Sequence, residues 1–226
     1  MHLHPTRARV LATCLSALAG YVDATGFLML GGFFVSFMSG NTTRLAVGIA
    51  RGSSEAAMAA GLIGLFVVGV IAGSLVGHYT VPHRRVAILA LVAVLLALAA
   101  GISAAGAPGL AAIPMALAMG AENAVFADHG GEVRIGLTYM TGTLVKLGQR
   151  LTAALLGGDR FAWTPYLLLW LGLAGGGVTG ALVYSAIDVG GLWIAAVIAA
   201  ILAVAAWRIG PDPVQTSTAD TARRAE

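Results

Sequence analysis

Phe37-Met38-Ser39-Gly40-Asn41-Thr42-Thr43-Arg44 interrupts an apolar sequence with five small or polar residues and a charge. A second version lies in the other half, as Tyr139-Met140-Thr141-Gly142-Thr143-Leu144-Val145-Lys146, with aromatic, Met, hydroxyl and Gly in the same order. Ser36 and Thr138 precede the two stretches, and Leu45 and Leu147 follow them. In lipid such a pattern predicts a broken or re-entrant helix lining a cavity. Backbone that leaves helical geometry there must find its partners inside the protein.

The surrounding composition makes lipid the expected solvent. The 226 residues are 58% hydrophobic and only 10% charged, with a mean hydropathy of +0.89. Soluble chains carry about a quarter charged residues. The expectation is an all-α polytopic membrane protein forming one domain over residues 1–209, with its 31 glycines serving close helix packing. The small excess of Arg bears on orientation, not on nucleic acid. Cys14 is the only cysteine, so an intrachain disulfide is excluded.

Apolar segments fall at 10–30, 33–50, 58–79, 86–105, 110–127, 135–156, 163–187 and 191–207. The uncharged segment 86–105 reads as a lipid-facing helix. Arg7 and Arg9 before an apolar run ending Ala17-Leu18-Ala19-Gly20 imitate a signal peptide. Cleavage would split the first helix, so retention is expected. Trp163, Tyr166, Trp193 and Trp207 sit near segment ends, as interfacial rings do. Residues 210–226 read as a disordered cytoplasmic tail.

The halves repeat. Gly20-Tyr21-Val22-Asp23-Ala24 aligns with Gly120-Ala121-Glu122-Asn123-Ala124, then come the two motifs, then Gly69, Gly73, Gly77 against Gly172, Gly176, Gly180. Repeat one covers 8–107 and repeat two 108–209. If all eight segments cross with the N-terminus inside, Arg84-Arg85 falls outside, against the positive-inside rule. If the two motif segments re-enter, about six cross. Arg84, Arg85, Arg134, Arg150, Arg160 and Arg208 then share the cytoplasm with both termini, and the repeats are inverted, as in many secondary transporters.

The Gly20–Ala24 block followed by Phe34-Val35-Ser36-Phe37-Met38-Ser39-Gly40-Asn41-Thr42-Thr43 resembles the YoaK-type family of bacterial inner-membrane proteins, a domain family of unknown function. The resemblance covers nearly the whole chain. Its signature, an aspartate on helix one and a Thr/Ser-Gly-Asn-Thr turn, falls on Asp23 and on Ser39, Gly40, Asn41 and Thr42. It implies a bacterial inner membrane and about six spans, and no substrate.

Charges inside spans are functional candidates with a partner to be named. Asp23 and Arg44 are candidates to pair in the first repeat, Glu122 (beside Asn123) and Lys146 in the second. A structural role holding a re-entrant segment, or snorkelling of Arg44 and Lys146, competes with that reading. Ser39, Gly40, Asn41, Thr42 and Thr43 offer polar atoms where the helix breaks, with Thr141 and Thr143 opposite. Back-bonding of the hydroxyls to their own helix is the alternative. Two half-helices meeting near the midplane would make one shared pocket.

Gly175-Gly176-Gly177-Val178-Thr179-Gly180 matches a dinucleotide fingerprint only formally, for no strand precedes it. No metal, nucleophile or phosphate-loop motif appears, so no enzyme, metal or cofactor is expected. The expected function is a secondary transporter of a small polar or ionic solute, without ATP. A channel and a non-transporting scaffold or sensor are the alternatives, and homodimerisation is open.

Overall fold

The computed structural model describes residues 5–126 and 139–210. The loop 128–134, the start of the second motif segment (135–138) and the tail 211–226 lie outside the described residues. Among those described, the elements are α1 (Pro5–Met29), α2 (Met38–Arg51), α3 (Glu55–Tyr79), α4 (Arg84–Ala104), α5 (Pro108–Asn123), α6 (Met140–Leu155), α7 (Thr164–Ile187) and α8 (Gly191–Ile209). Short 3-10 turns extend α5 through Ala124–Phe126 and join α7 to α8 through Asp188–Gly190. The protein is an all-α polytopic membrane protein.

Five stretches are long and apolar enough to cross a membrane: Arg9–Met29, Glu55–Tyr79, Arg84–Ala104, Pro108–Phe126 and Thr164–Ile209. The last, at 46 residues, would run about 69 Å as one straight helix, against a hydrocarbon core of about 30 Å. It bends where Asp188 takes φ 53°, which makes two helices and six in all. The 14-residue α2 and 16-residue α6 reach only about 21–24 Å, too short to cross alone.

Helix pairings repeat between the halves. α1 lies on α7 and α5 on α3; α2 lies on α3 and α6 on α7; α4 lies on α5 and α8 on α1; α4 and α8 face each other. The buried positions repeat as well. Ile88, Leu89, Val92, Leu96, Ala99, Ala100 and Ser103 of α4 correspond, 103 positions later (88 to 191, 89 to 192), to Gly191, Leu192, Ala195, Ala199, Leu202, Ala203 and Ala206 of α8, all buried. In α1 and α5 the buried positions match 100 apart, as with Leu15 and Met115, Gly20 and Gly120, Tyr21 and Ala121. On that alignment Asp23 corresponds to Asn123, while Glu122 takes the place of the core residue Val22.

Two expectations are corrected. α4 is not wholly lipid-facing: seven of its residues are buried between α5 and α8, and only the opposite face, with Val94 and Leu98, is exposed. An uncharged helix is equally compatible with lipid and with protein, so its composition cannot decide. The glycine register also shifts. A side chain at Gly69 or Gly73 would strike the backbone of Leu117 or Ala121 on α5, and one at Gly176 or Gly180 that of Ala17 or Tyr21 on α1. Gly69 therefore matches Gly176 and Gly73 matches Gly180, one turn away from the alignment by sequence. These contacts advance together along both helices of each pair, so α1–α7 and α3–α5 are parallel pairs with touching backbones. Lipid takes the opposite faces, such as Val67, Val68, Ile71 and Leu75 on α3.

Candidate functional site

The first motif is built around a chain reversal. Gly31 and Gly32, at φ 66° and 98°, end α1, and bends at Val35 and Ser36 turn the chain into α2. Asp23, six residues before the end of α1, receives the backbone N–H groups of Val35 at 2.9 Å and Ser36 at 2.8 Å on Oδ1. The loop therefore dips back along α1 to the depth of Asp23. Asn41 then fastens the returning segment: Phe34 N–H donates to Asn41 Oδ1 at 3.1 Å, and Asn41 Nδ2 donates to Phe34 O at 2.6 Å. The side-chain amide completes the pairing that this extended backbone lacks. Asn41 is fully buried.

Asp23 and Arg44 do not pair. Arg44 lies over the Phe33 ring, 4.7 Å from its centroid, with its guanidinium against Gly32. Asp23 already has two N–H donors, and the cation takes the aromatic face. Ser39 is exposed. Thr42 Oγ1 donates to Met38 O at 2.8 Å and Thr43 Oγ1 to Ser39 O at 3.2 Å. These hydroxyls bond back to their own helix and bind no neighbour. Gly40 is required by space, because the Phe37 and Phe34 rings fold over it and leave no room for a Cβ.

The second motif repeats that packing. Gly142 lies beneath the Tyr139 ring as Gly40 lies beneath Phe37, so the shared order aromatic-x-x-Gly encodes a ring folded over the first turn of the helix. Thr143, at the position of Asn41, is buried and donates to Tyr139 O at 3.1 Å. Thr141 is exposed. Asn123 Nδ2 donates to Met119 O at 2.8 Å. Glu122 and Lys146 do not pair either. Glu122 is fully buried and neither carboxyl oxygen has a hydrogen-bond partner among the described residues, while Lys146 is exposed on α6.

Among the described residues the motif helices do not pack on each other, since α2 rests on α3 and α6 on α7. Two separate spaces lie beside α1 and α7 in place of the expected shared pocket. One, of about 410 Å³, is lined by Asp23, Phe27, Phe34, Leu173 and Gly177 among others. The other, of about 600 Å³, brings Arg9 of α1 together with Tyr139, Thr143, Lys146 and Arg150 of the second motif region and Asp159 before α7. Arg9, Arg150 and Asp159 are not among the candidate site residues that the sequence proposes. Arg150 lies four positions beyond Lys146, on the same helical face, and that spacing is the signal that could have found it.

The sequence profile of a family described as a protein of unknown function, DUF1275, matches residues 11–205. The UPF0700 transmembrane protein RA0705 of Rhizobium meliloti (strain 1021) is 37% identical over 200 residues, 88% of this chain and 86% of its own length. No solved structure matches. The profile takes in both motifs and all or most of every long helix, and the chain belongs to the DUF1275 family of proteins of unknown function.

Proposed function

We propose that this protein is a secondary transporter of a small polar or ionic solute in the bacterial inner membrane, working without ATP and with both termini cytoplasmic. The observation that carries the reading is the exchange of helix pairings between the halves, around a loop that dips to Asp23 and returns along Asn41. A re-entrant α2 starts α3 from the side on which α1 ends. That gives six crossings and inverted repeats, an architecture suited to alternating access.

Within this reading the two carboxyls divide the work. Asp23 holds the dipping loop, and its bonds to Val35 and Ser36 are those that a moving loop would exchange. Glu122, buried without a hydrogen-bond partner among the described residues, takes the coupling role. Buried ionisable groups within spans mark proton and ion relays.

The test is uptake into proteoliposomes holding the purified chain, across a panel of small labelled solutes. Saturable uptake driven by a proton or Na⁺ gradient is the expected result. Flux linear in concentration would replace the transporter with a channel. A second reading, a non-transporting scaffold, is favoured by one observation: Asp23 and Asn41 both spend their polar atoms on the loop backbone. Absence of flux across the panel would favour it.

A further inference from the structure

We propose that the cavity between α1, α6 and α7 binds a small anion bearing carboxylate or phosphate groups. The inference deepens the transporter reading, and only the claim that the bound anion is the solute rests on that reading.

The charge of the lining carries it. Arg9, Lys146 and Arg150 face the same space of about 600 Å³, with Asp159 as the one carboxylate beside them among the described residues. Three cations against one anion leave a formal charge of +2 among the described lining residues. Asp159 accepts the Phe161 N–H on Oδ1 at 3.0 Å, and none of the three cations has an ion-pair partner among the described residues. Like charges gathered in a recess repel more strongly than on an open surface, and a bound anion relieves that. The volume falls within the range of about 300–1,000 Å³ typical of small-ligand sites. Guanidinium groups favour carboxylate and phosphate oxygens, which they hold two at a time.

The hydroxyls do not compete for the role. Thr13, Thr143 and Thr164 each donate to a carbonyl of their own segment, Arg9 O, Tyr139 O and Phe161 O. The cations, with the phenols of Tyr139 and Tyr166 in the same lining, remain to recognise the ligand.

Comparison of the halves shows that the fold does not require this charge. On the alignment set by the buried residues, Arg9, Lys146 and Arg150 correspond to Gly109, Arg44 and Gly48. Two of the three cations are absent there, and the third lies over Phe33. Gly48 is instead where α2 closes on Ala56 of α3. The basic lining is thus a departure from the internal repeat. The same chemistry could be offered by a soluble metabolite, by inorganic phosphate or by the headgroup of an acidic lipid.

The experiment follows thermal unfolding of the full chain in phosphatidylcholine nanodiscs, titrated with inorganic phosphate or succinate against chloride at matched ionic strength. A third arm adds phosphatidylglycerol to the nanodisc. A saturable rise in Tm with phosphate or succinate is expected. In Lys146→Gln/Arg150→Gln the apparent affinity should fall about tenfold or more, and in Asp159→Asn it should rise. The substituted residues are solvent-accessible, so folding is not at risk. Stabilisation by phosphatidylglycerol alone, lost in the double variant, would keep the chemistry and assign it to a lipid headgroup. No shift from any of the three, or a shift undiminished in the double variant, overturns the proposal. Nanodiscs carry no gradient, so binding without uptake in proteoliposomes would sink the transporter reading alone, and uptake without binding would sink this one.

Discussion

Asn41 and Glu122 are both buried polar residues, yet they stand in opposite energetic positions. Asn41 satisfies both backbone groups of Phe34, so Asn41→Ala leaves an N–H and a carbonyl unpaired. A loss of about 2 kcal/mol is expected, read as a lower midpoint in a reversible unfolding titration in detergent micelles. Asp23→Asn keeps the Oδ1 acceptor for Val35 and Ser36, and should lose less than Asp23→Ala. Glu122 has no partner to lose, so Glu122→Gln should leave stability unchanged or raised while abolishing gradient-driven accumulation in the proteoliposome assay. Loss of stability with accumulation retained would remove its coupling role. The motif itself is legible in the sequence as a polar interruption, but the partners are not. Asn41 reaches back seven positions and Asp23 forward twelve and thirteen, separations set by a chain reversal and by no local periodicity.

At the scale of helices the glycines explain both what is readable and what slips. Glycine every fourth residue announces close packing, and α7 does lie backbone to backbone on α1. The register slips by one turn because a Gly-x-x-x-Gly array maps onto itself when slid by four, and only the partner helix fixes the choice. Gly175→Ala meets open space, whereas Gly176→Ala meets the Ala17 carbonyl. The first should stay within about 1 kcal/mol of the parent, and the second should destabilise by about 1–3 kcal/mol. Parallel Tm measurements on the two variants check the pair, and equal losses would mean that the α1–α7 contact is looser than described. The burial of α4 is hidden for a related reason: an all-apolar helix carries no polar face to mark which side meets lipid.

For the molecule as a whole, the number of crossings follows from hydrophobic length, and the paired halves follow from blocks in a common order. The separation of α2 from α6 among the described residues does not, because spacing along a chain says nothing about which neighbour a short helix chooses. The proposed inverted arrangement makes a direct prediction. In a Cys14→Ala background, a cysteine at Ser53 should react with a membrane-impermeant thiol reagent on intact cells and one at His83 should not. The opposite pattern would make α2 a full crossing and the repeats parallel. The matched burial of α4 and α8 has a consequence of its own. Each half presents to the other a surface copied from the one it receives, and the link between them, through Gly106, is exposed. That link acts as a tether that raises effective concentration and contributes no recognition. Fragments 1–107 and 108–226, expressed separately in one cell, should find each other in the bilayer and co-purify through a tag on either, as two subunits of a pseudo-dimer would.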